Sequence, residues 1–315
     1  MPCTDAPLAG TRVVTLAVNV PGPVAAARLR RLGAHVVKVQ PPAGDPLGDY
    51  CAAWLAELDA GLELRSLDLK SREGRAELDE LLTSADVLLT ASRGSALRRL
   101  GLGWEELHAR CPRLVHVAVV GHAAPDDDVA GHDLTYQATA GLLTPPQLPA
   151  VLVADLAGAE RAVSEALAGL LLRARTGEGS RREVAFADCA ADLAASARHG
   201  LTAPGGLLGG GFAGYGLYPA QDGYVALAAL EPHFWRRAQE LLGGDADTIA
   251  QTLRTRTAAQ WQRLAEEQDL PLVAVASTAA GADTGAGADA DAEAGADART
   301  DTRADAGAGV AEGAW

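Results

Sequence analysis

The sequence predicts an α/β protein with a Rossmann-like parallel sheet in a large first domain and a smaller α+β domain after it. Three observations predict this. Short β-branched runs alternate with Ala- and Leu-rich helical stretches through the first half. That rhythm needs crossover helices, which cover both faces of a parallel sheet. The composition then shifts: seven of the thirteen residues from Pro204 to Gly216 are glycine, and strand and helix patterns resume beyond them.

Taken in order, Arg12–Val18 is a β-branched strand, and Pro21-Gly22-Pro23 opens a helix that ends near Gly33. Val36–Gln40 is a second strand, stopped by Pro41-Pro42. A helix over Glu73–Thr83 leads to the strand Asp86–Thr90, and a helix over Trp104–Arg110 leads to the strand Leu114–Val120. A long apolar helix spans Leu156–Arg175, closed by basic residues and Gly177. The strand Glu183–Ala187 and the helix Asp188–His199 complete a first domain of residues 1–200. In the second domain, 201–275, Tyr224–Leu230 alternates as a strand, Pro232 starts a helix, and another covers Thr248–Glu267. Ligands of open parallel sheets bind outside the carboxyl ends of the strands, so the loops there are the first place to look.

The chain has 315 residues, a formal charge of −14 and an apolar share of 48%, with 4% aromatic. Such acidity excludes a general nucleic-acid binder, which needs a basic face. Residues 276–315 hold eight acids, two Arg and sixteen Ala without an apolar period, and are expected to be a disordered tail. The four cysteines, Cys3, Cys51, Cys111 and Cys189, are widely spaced, so neither a disulfide framework nor a metal site is expected. With no leader pattern and no apolar run of membrane length, the expectation is a cytoplasmic protein without membrane contact. Gly209, Gly211 and Gly214 spell GxGxxG, but a helix precedes them and a Tyr-rich strand follows. A dinucleotide fingerprint has the reverse context, so a mobile loop over a site is expected instead.

An ordered set of segments resembles the class III CoA-transferase superfamily. Leu8-Ala9-Gly10-Thr11-Arg12-Val13-Val14, Pro21-Gly22-Pro23 and Leu32–Val39 look like its first β-α-β unit. Ser66-Leu67-Asp68-Leu69-Lys70, Ala85–Leu89, Leu100-Gly101-Leu102-Gly103 and Pro112-Arg113-Leu114-Val115 continue the match. Gly131-His132-Asp133-Leu134-Thr135-Tyr136, Ala154-Asp155-Leu156-Ala157-Gly158, Asp222–Leu227 and Leu230–Trp235 follow in family order, covering about residues 8–275. The resemblance implies the class III CoA-transferase fold. A His before the Asp of the Gly-x-Asp motif is similar to the α-methylacyl-CoA racemase branch.

That branch implies His132 and Asp155 as an acid/base pair, working on opposite faces of the carbon next to a thioester. Imidazole titrates near neutrality, and a carboxylate joins it if burial raises its pKa. The backbone N–H of Asp155 is expected to donate to the enolate oxygen. Glu231 matches a family acid that orients the histidine. Each has a plainer role beside this one, Asp155 as a helix N-cap and Glu231 as the start signal before Pro232. The resemblance implies coenzyme A as part of the substrate and no permanently bound cofactor, with Lys38, Lys70, Arg93, Gly131, Asp133 and Tyr136 around it.

The sequence departs from the family at Leu58–Glu63, where relatives carry basic residues, and at Asp126-Asp127-Asp128, three acids before the His motif. Relatives continue past the strand resembling Leu270–Val275 with an ordered segment and form interlocked homodimers, which the acidic tail is expected to loosen. Three functions therefore stand: an acyl-CoA racemase or epimerase, a CoA-transferase with Asp155 as covalent nucleophile, and a degenerate member kept as a binding partner.

Overall fold

The computed structural model describes residues 6–276, so the expected tail from 277 onward and Cys3 lie outside the described residues. The described chain forms two compact units, 6–194 and 195–276. Among the described residues, no helix is long and apolar enough to cross a membrane.

The first unit runs β1 (Arg12–Thr15), α1 (Pro21–Arg31), β2 (His35–Gln40), α2 (Leu47–Asp59), β3 (Glu63–Ser66), α3 (Arg72–Thr83) and β4 (Val87–Thr90). It continues with α4 (Gly94–Arg99), α5 (Trp104–Arg110), β5 (Val115–Val120), α6 (Asp133–Thr139), α7 (Val153–Thr176), β6 (Ser180–Ala185) and α8 (Phe186–Leu193). The six strands form one parallel sheet in the order β3-β2-β1-β4-β5-β6. The two-residue period of a strand divides their side chains between two cores. Val13, Val36, Val87, Val115 and Val117 face α1 and α7, while Val14, Val37, Val39 and Leu88 face Leu78 and Leu82 of α3 and Leu107 of α5. Small residues let α7 lie close on the sheet: a Cβ at Gly169 would stand 2.4 Å from Val115 Cγ1.

Several boundaries differ from the expected ones for local reasons. β1 ends at Thr15 rather than residue 18, because Thr15 Oγ1 accepts the Ala17 N–H at 3.1 Å and Asn19 turns the chain at a φ of 66°. The segment 43–66, given no element from sequence, holds α2 and β3. α2 carries an internal break at Cys51, and β3 precedes the matched segment Leu67-Asp68-Leu69-Lys70, which is the turn into α3.

Neighbouring β1 and β4 send their chains to opposite sides of the sheet, which makes the crevice beyond Thr15 and Thr90 the topological switch point. The wall on the β4 side carries a buried polar pair. Thr90 Oγ1 lies 3.0 Å from Nε2 of buried His116, whose pKa burial pushes down to about 3, so this imidazole is neutral.

Lys38 takes a place the sequence did not suggest. It is fully buried, with Nζ 2.7 Å from Asp45 Oδ2 and 2.9 Å from Asp59 Oδ1, and so it pins α2 and the loop before it to β2. Removing one partner of a buried ion network leaves the others unpaired, which costs about 3–5 kcal/mol. Lys38→Met is therefore expected to lower unfolding free energy by about that amount in urea titration. A loss below about 1 kcal/mol would show the network to be dispensable.

The second unit contains α9 (Ala195–Arg198), a wide helical turn at Leu207–Gly211, β7 (Tyr215–Pro219), β8 (Tyr224–Ala228), α10 (Pro232–Leu242), α11 (Ala246–Leu253), α12 (Ala258–Glu267) and β9 (Leu272–Ala274). Its strands pair antiparallel in the order β7-β8-β9 around Val225, Leu227, Ile249, Leu253 and Trp261. The single helix expected over 248–267 is two, because Thr257 and Gln260 form a capping box that restarts the chain as α12. The glycine-rich stretch wraps on itself. Cβ atoms at Gly206, Gly209 and Gly211 would stand 1.9–2.3 Å from carbonyl oxygens of residues 200–205, and Gly211 N–H bonds to Gly206 O at 2.8 Å. Its glycines serve close backbone packing.

Candidate active site

The site is assembled where α6 meets the start of α7. His132 is the N-cap of α6, exposed and extended, with its N–H donating to Thr135 Oγ1 at 3.0 Å. The next residue, Asp133, turns inward and is 5% exposed. Its Oδ1 accepts the backbone N–H groups of Ala154 at 2.8 Å and Asp155 at 3.1 Å. Its Oδ2 accepts Gln137 Nε2 at 2.5 Å, and the same amide donates to Val151 O at 3.0 Å. Asp133 thus caps α7 from another helix, satisfying amide groups that a helix start leaves without partners. The N-cap position itself is Leu152, so Asp155 is not the cap of its helix but stands in the first turn.

This tie places the Asp155 carboxyl beside α6 and beside the Asp133 charge. Burial first, and the Asp133 carboxylate second, push the Asp155 pKa from 3.8 up to about 7. Among the described residues, no side chain hydrogen-bonds to this carboxyl. A carboxyl that titrates near neutrality and keeps its oxygens uncommitted is suited to giving and taking protons.

Tyr136 closes the inner wall. Its phenol pKa is raised by burial and by Asp155, with Arg93 acting in the opposite sense, so Arg93 shares this electrostatic neighbourhood. The ring stacks on Phe186 at 5.7 Å and meets His122 edge-on at 5.3 Å. A Cβ at Gly131 would stand 2.6 Å from that ring, and one at Gly121 2.5 Å from its hydroxyl. Gly131→Ala is thus expected to displace Tyr136, with a loss of about 1–3 kcal/mol in stability by thermal melting. Gly131→Ala with an unchanged melting curve would show that the ring has room to move.

The expected site residues therefore separate. Asp133, Tyr136 and Asp155 come together with Gly131, His132 stands exposed next in the chain to Asp133, and Arg93 acts on Tyr136 from the N-cap position of α4, just beyond β4. Lys70 is exposed in the turn from β3 to α3, its N–H held by Asp68 Oδ1 at 2.9 Å. Two expectations need correction. Lys38 presents no charge to a ligand here, because its ammonium is enclosed by Asp45 and Asp59. The Asp155 N–H, expected to face the substrate oxygen, is taken by Asp133. Asp133 itself has both oxygens engaged within the chain. Glu231 belongs to the second unit, exposed at the N-cap of α10 without a side-chain capping bond. Gln137 was missed, although an Asp and a Gln four apart on one helix signal a local pair. The loop acid Asp128 accepts Ser95 Oγ at 2.8 Å at the start of α4. Among the described residues, no group of three or more His, Cys, Asp or Glu side chains is arranged to hold a metal ion.

Residues 8–294 match the model of CoA-transferase family III. The chain belongs to that family. Its relatives within family III carry two kinds of name. It is 30% identical to a succinate–glutarate CoA-transferase of Agrobacterium fabrum over 77% of this chain and 68% of that protein. It is also 30% identical to an alpha-methylacyl-CoA racemase of Mus musculus, over 82% of this chain and 69% of that one. A crystal structure of Rv3272 from Mycobacterium tuberculosis superposes with a TM-score of 0.78 at 26% identity, covering 90% of this chain and 88% of that chain. Family III membership thus gives the fold and an enzymatic ancestry, and the names divide between transfer and racemisation.

Proposed function

We propose that this family III protein inverts the α-carbon of an acyl-CoA, such as a 2-methyl-branched one, by moving a proton between two bases through an enolate. The observation that supports this most is the Asp155 carboxyl, raised to about 7 beside a helix that starts at His132. A base abstracts best when its pKa lies near the working pH, and two such groups in series exchange roles with substrate configuration. In one direction Asp155 takes the α-proton and His132 returns one to the opposite face; in the other the order reverses. Arg93 and Lys70 are the exposed cations on the carboxyl-end loops, and they fit a role in holding the phosphate groups of coenzyme A. A homodimer stays in this proposal as the working assembly.

A second function is favoured by the transferase names among the relatives. Asp155 would attack the thioester carbonyl, expel the CoA thiolate and form a mixed anhydride, which the thiolate then reopens to an aspartyl-CoA thioester. Attack and proton abstraction both need the ionised carboxylate, and a pKa near 7 fits proton transfer because there the protonated form is also used, as the acid in the opposite direction. One epimer of a 2-methylacyl-CoA in deuterated water separates the two functions. Racemisation gives α-deuterium with inversion and needs no acceptor acid. Exchange of CoA only when a second carboxylic acid is present, with hydroxylamine trapping at Asp155, would replace racemisation with transfer.

A further inference from the structure

At the other end of the sheet from this site, the last turn of α1 and the first residues of β2 and β3 border an open depression of about 550 Å³. Arg30, Arg31 and His35 line it together with Gly61 and Glu63. The cations outnumber the acid, in a chain whose total charge is −14. Glu63 is already engaged, 3.2 Å from His35 Nε2 and 2.5 Å from an Arg65 guanidinium nitrogen. Among the described residues, no carboxylate pairs with Arg30 or Arg31.

The exposed Arg30 guanidinium comes close to the turn between α2 and β3. It lies over the Gly61 turn, where a Cβ would stand 2.4 Å from one terminal nitrogen and 2.5 Å from Nε. Gly61 holds a φ of +77°, so the turn is one that glycine makes readily and that leaves room for the guanidinium. The basic residues of this last turn also complement the helix dipole of α1. That complement asks only for charge near the helix end. It does not account for a Glu63 charge already taken up by two partners.

We propose that this depression is an anion site for a small molecule bearing a phosphate or pyrophosphate group, separate from the acyl-CoA site. Guanidinium forks match the paired oxygens of such groups, and the volume lies within the range of small-ligand pockets. The site opens at the amino ends of β2 and β3, whereas Arg93 and Lys70 stand on loops at the carboxyl ends of strands. A ligand here would occupy the protein together with an acyl-CoA.

Calorimetric titration with inorganic pyrophosphate, and separately with ADP, tests the site on the full chain. The wild type is expected to bind pyrophosphate with a Kd of about 1 mM or tighter. Arg30→Gln with Arg31→Gln should weaken it at least about tenfold, since each lost charge-assisted bond is worth that much. Arg93→Gln should leave the pyrophosphate binding that depends on Arg30 and Arg31 unchanged. ADP binding that shares the Arg30 and Arg31 dependence would identify a nucleotide diphosphate as an acceptable source of the group, and pyrophosphate binding alone would restrict the site to the free anion. Absence of pyrophosphate binding up to about 10 mM would overturn the proposal, as would binding lost with Arg93→Gln and kept in the double variant.

Discussion

Asp155→Asn is expected to lower α-proton exchange by about 10³-fold while making the folded protein more stable above neutral pH. The two effects have one origin. An unfolded aspartate titrates near 3.8, and folded Asp155 near 7, because burial and the Asp133 charge disfavour its ionised form. Between those values the folded chain keeps a proton that the unfolded chain has released. The carboxyl therefore opposes folding increasingly as pH rises from about 4, and fully above about 7. At about 1.4 kcal/mol for each unit, less some relief from partial exposure, the burden is on the order of 3 kcal/mol. Asn has nearly the same shape and no charge, so the variant should gain about 2–3 kcal/mol over the parent near pH 8 and show no gain near pH 4. Denaturant titrations at the two pH values measure this directly. Equal stability at both would mean that Asp155 is not strained by its surroundings. The same titration shapes the kinetics. For the epimer whose proton Asp155 removes, kcat/KM should rise with pH through about 7, and for the other it should fall through that value.

The strands of the sheet were legible because their side chains are nearly all buried: Val87, Leu88 and Leu89 form a continuous apolar run that only a covered parallel strand tolerates. β3 escaped for the opposite reason. Glu63-Leu64-Arg65-Ser66 lies at the sheet edge and is largely exposed, so no apolar pattern marks it. α12 was legible in principle, since Thr257 and Gln260 stand at capping-box spacing, but the apolar period runs on across the break. The candidate site was read as a set of residue types and not as a geometry. That Asp133 turns inward to hold α7, and so creates the electrostatic setting of Asp155, depends on a contact across 22 positions that no local pattern encodes. Lys38 shows the same limit. A lysine in a strand looks like a ligand cation until Asp45 and Asp59 arrive from a loop and a helix to enclose it. Residue chemistry suggested the participants, and long-range packing decided which of them stay exposed.

His132→Ala is expected to split the reaction rather than abolish it. With two bases on opposite faces, each epimer presents its α-proton to one of them alone. In the variant Asp155 still removes the proton that faces it, but nothing on the far side of the enolate can return one. The proton position refills from the same face, so one epimer should incorporate deuterium with retention of configuration. The other epimer, whose proton faced His132, should exchange at most about 10⁻³ as fast as in the wild type, and inversion in either direction should fall by a similar factor. His132 is exposed at a helix N-cap, so its removal should leave the fold intact and the loss assignable to chemistry. Chiral chromatography of the recovered acyl-CoA, with mass spectrometry for deuterium, reads both quantities from one incubation. A covalent transferase would behave otherwise, because its aspartyl intermediate does not need a base on the far face, and CoA exchange into an added acid would survive in His132→Ala. Inversion at the wild-type rate in this variant would remove His132 from the reaction and leave Asp155 without the partner that racemisation requires.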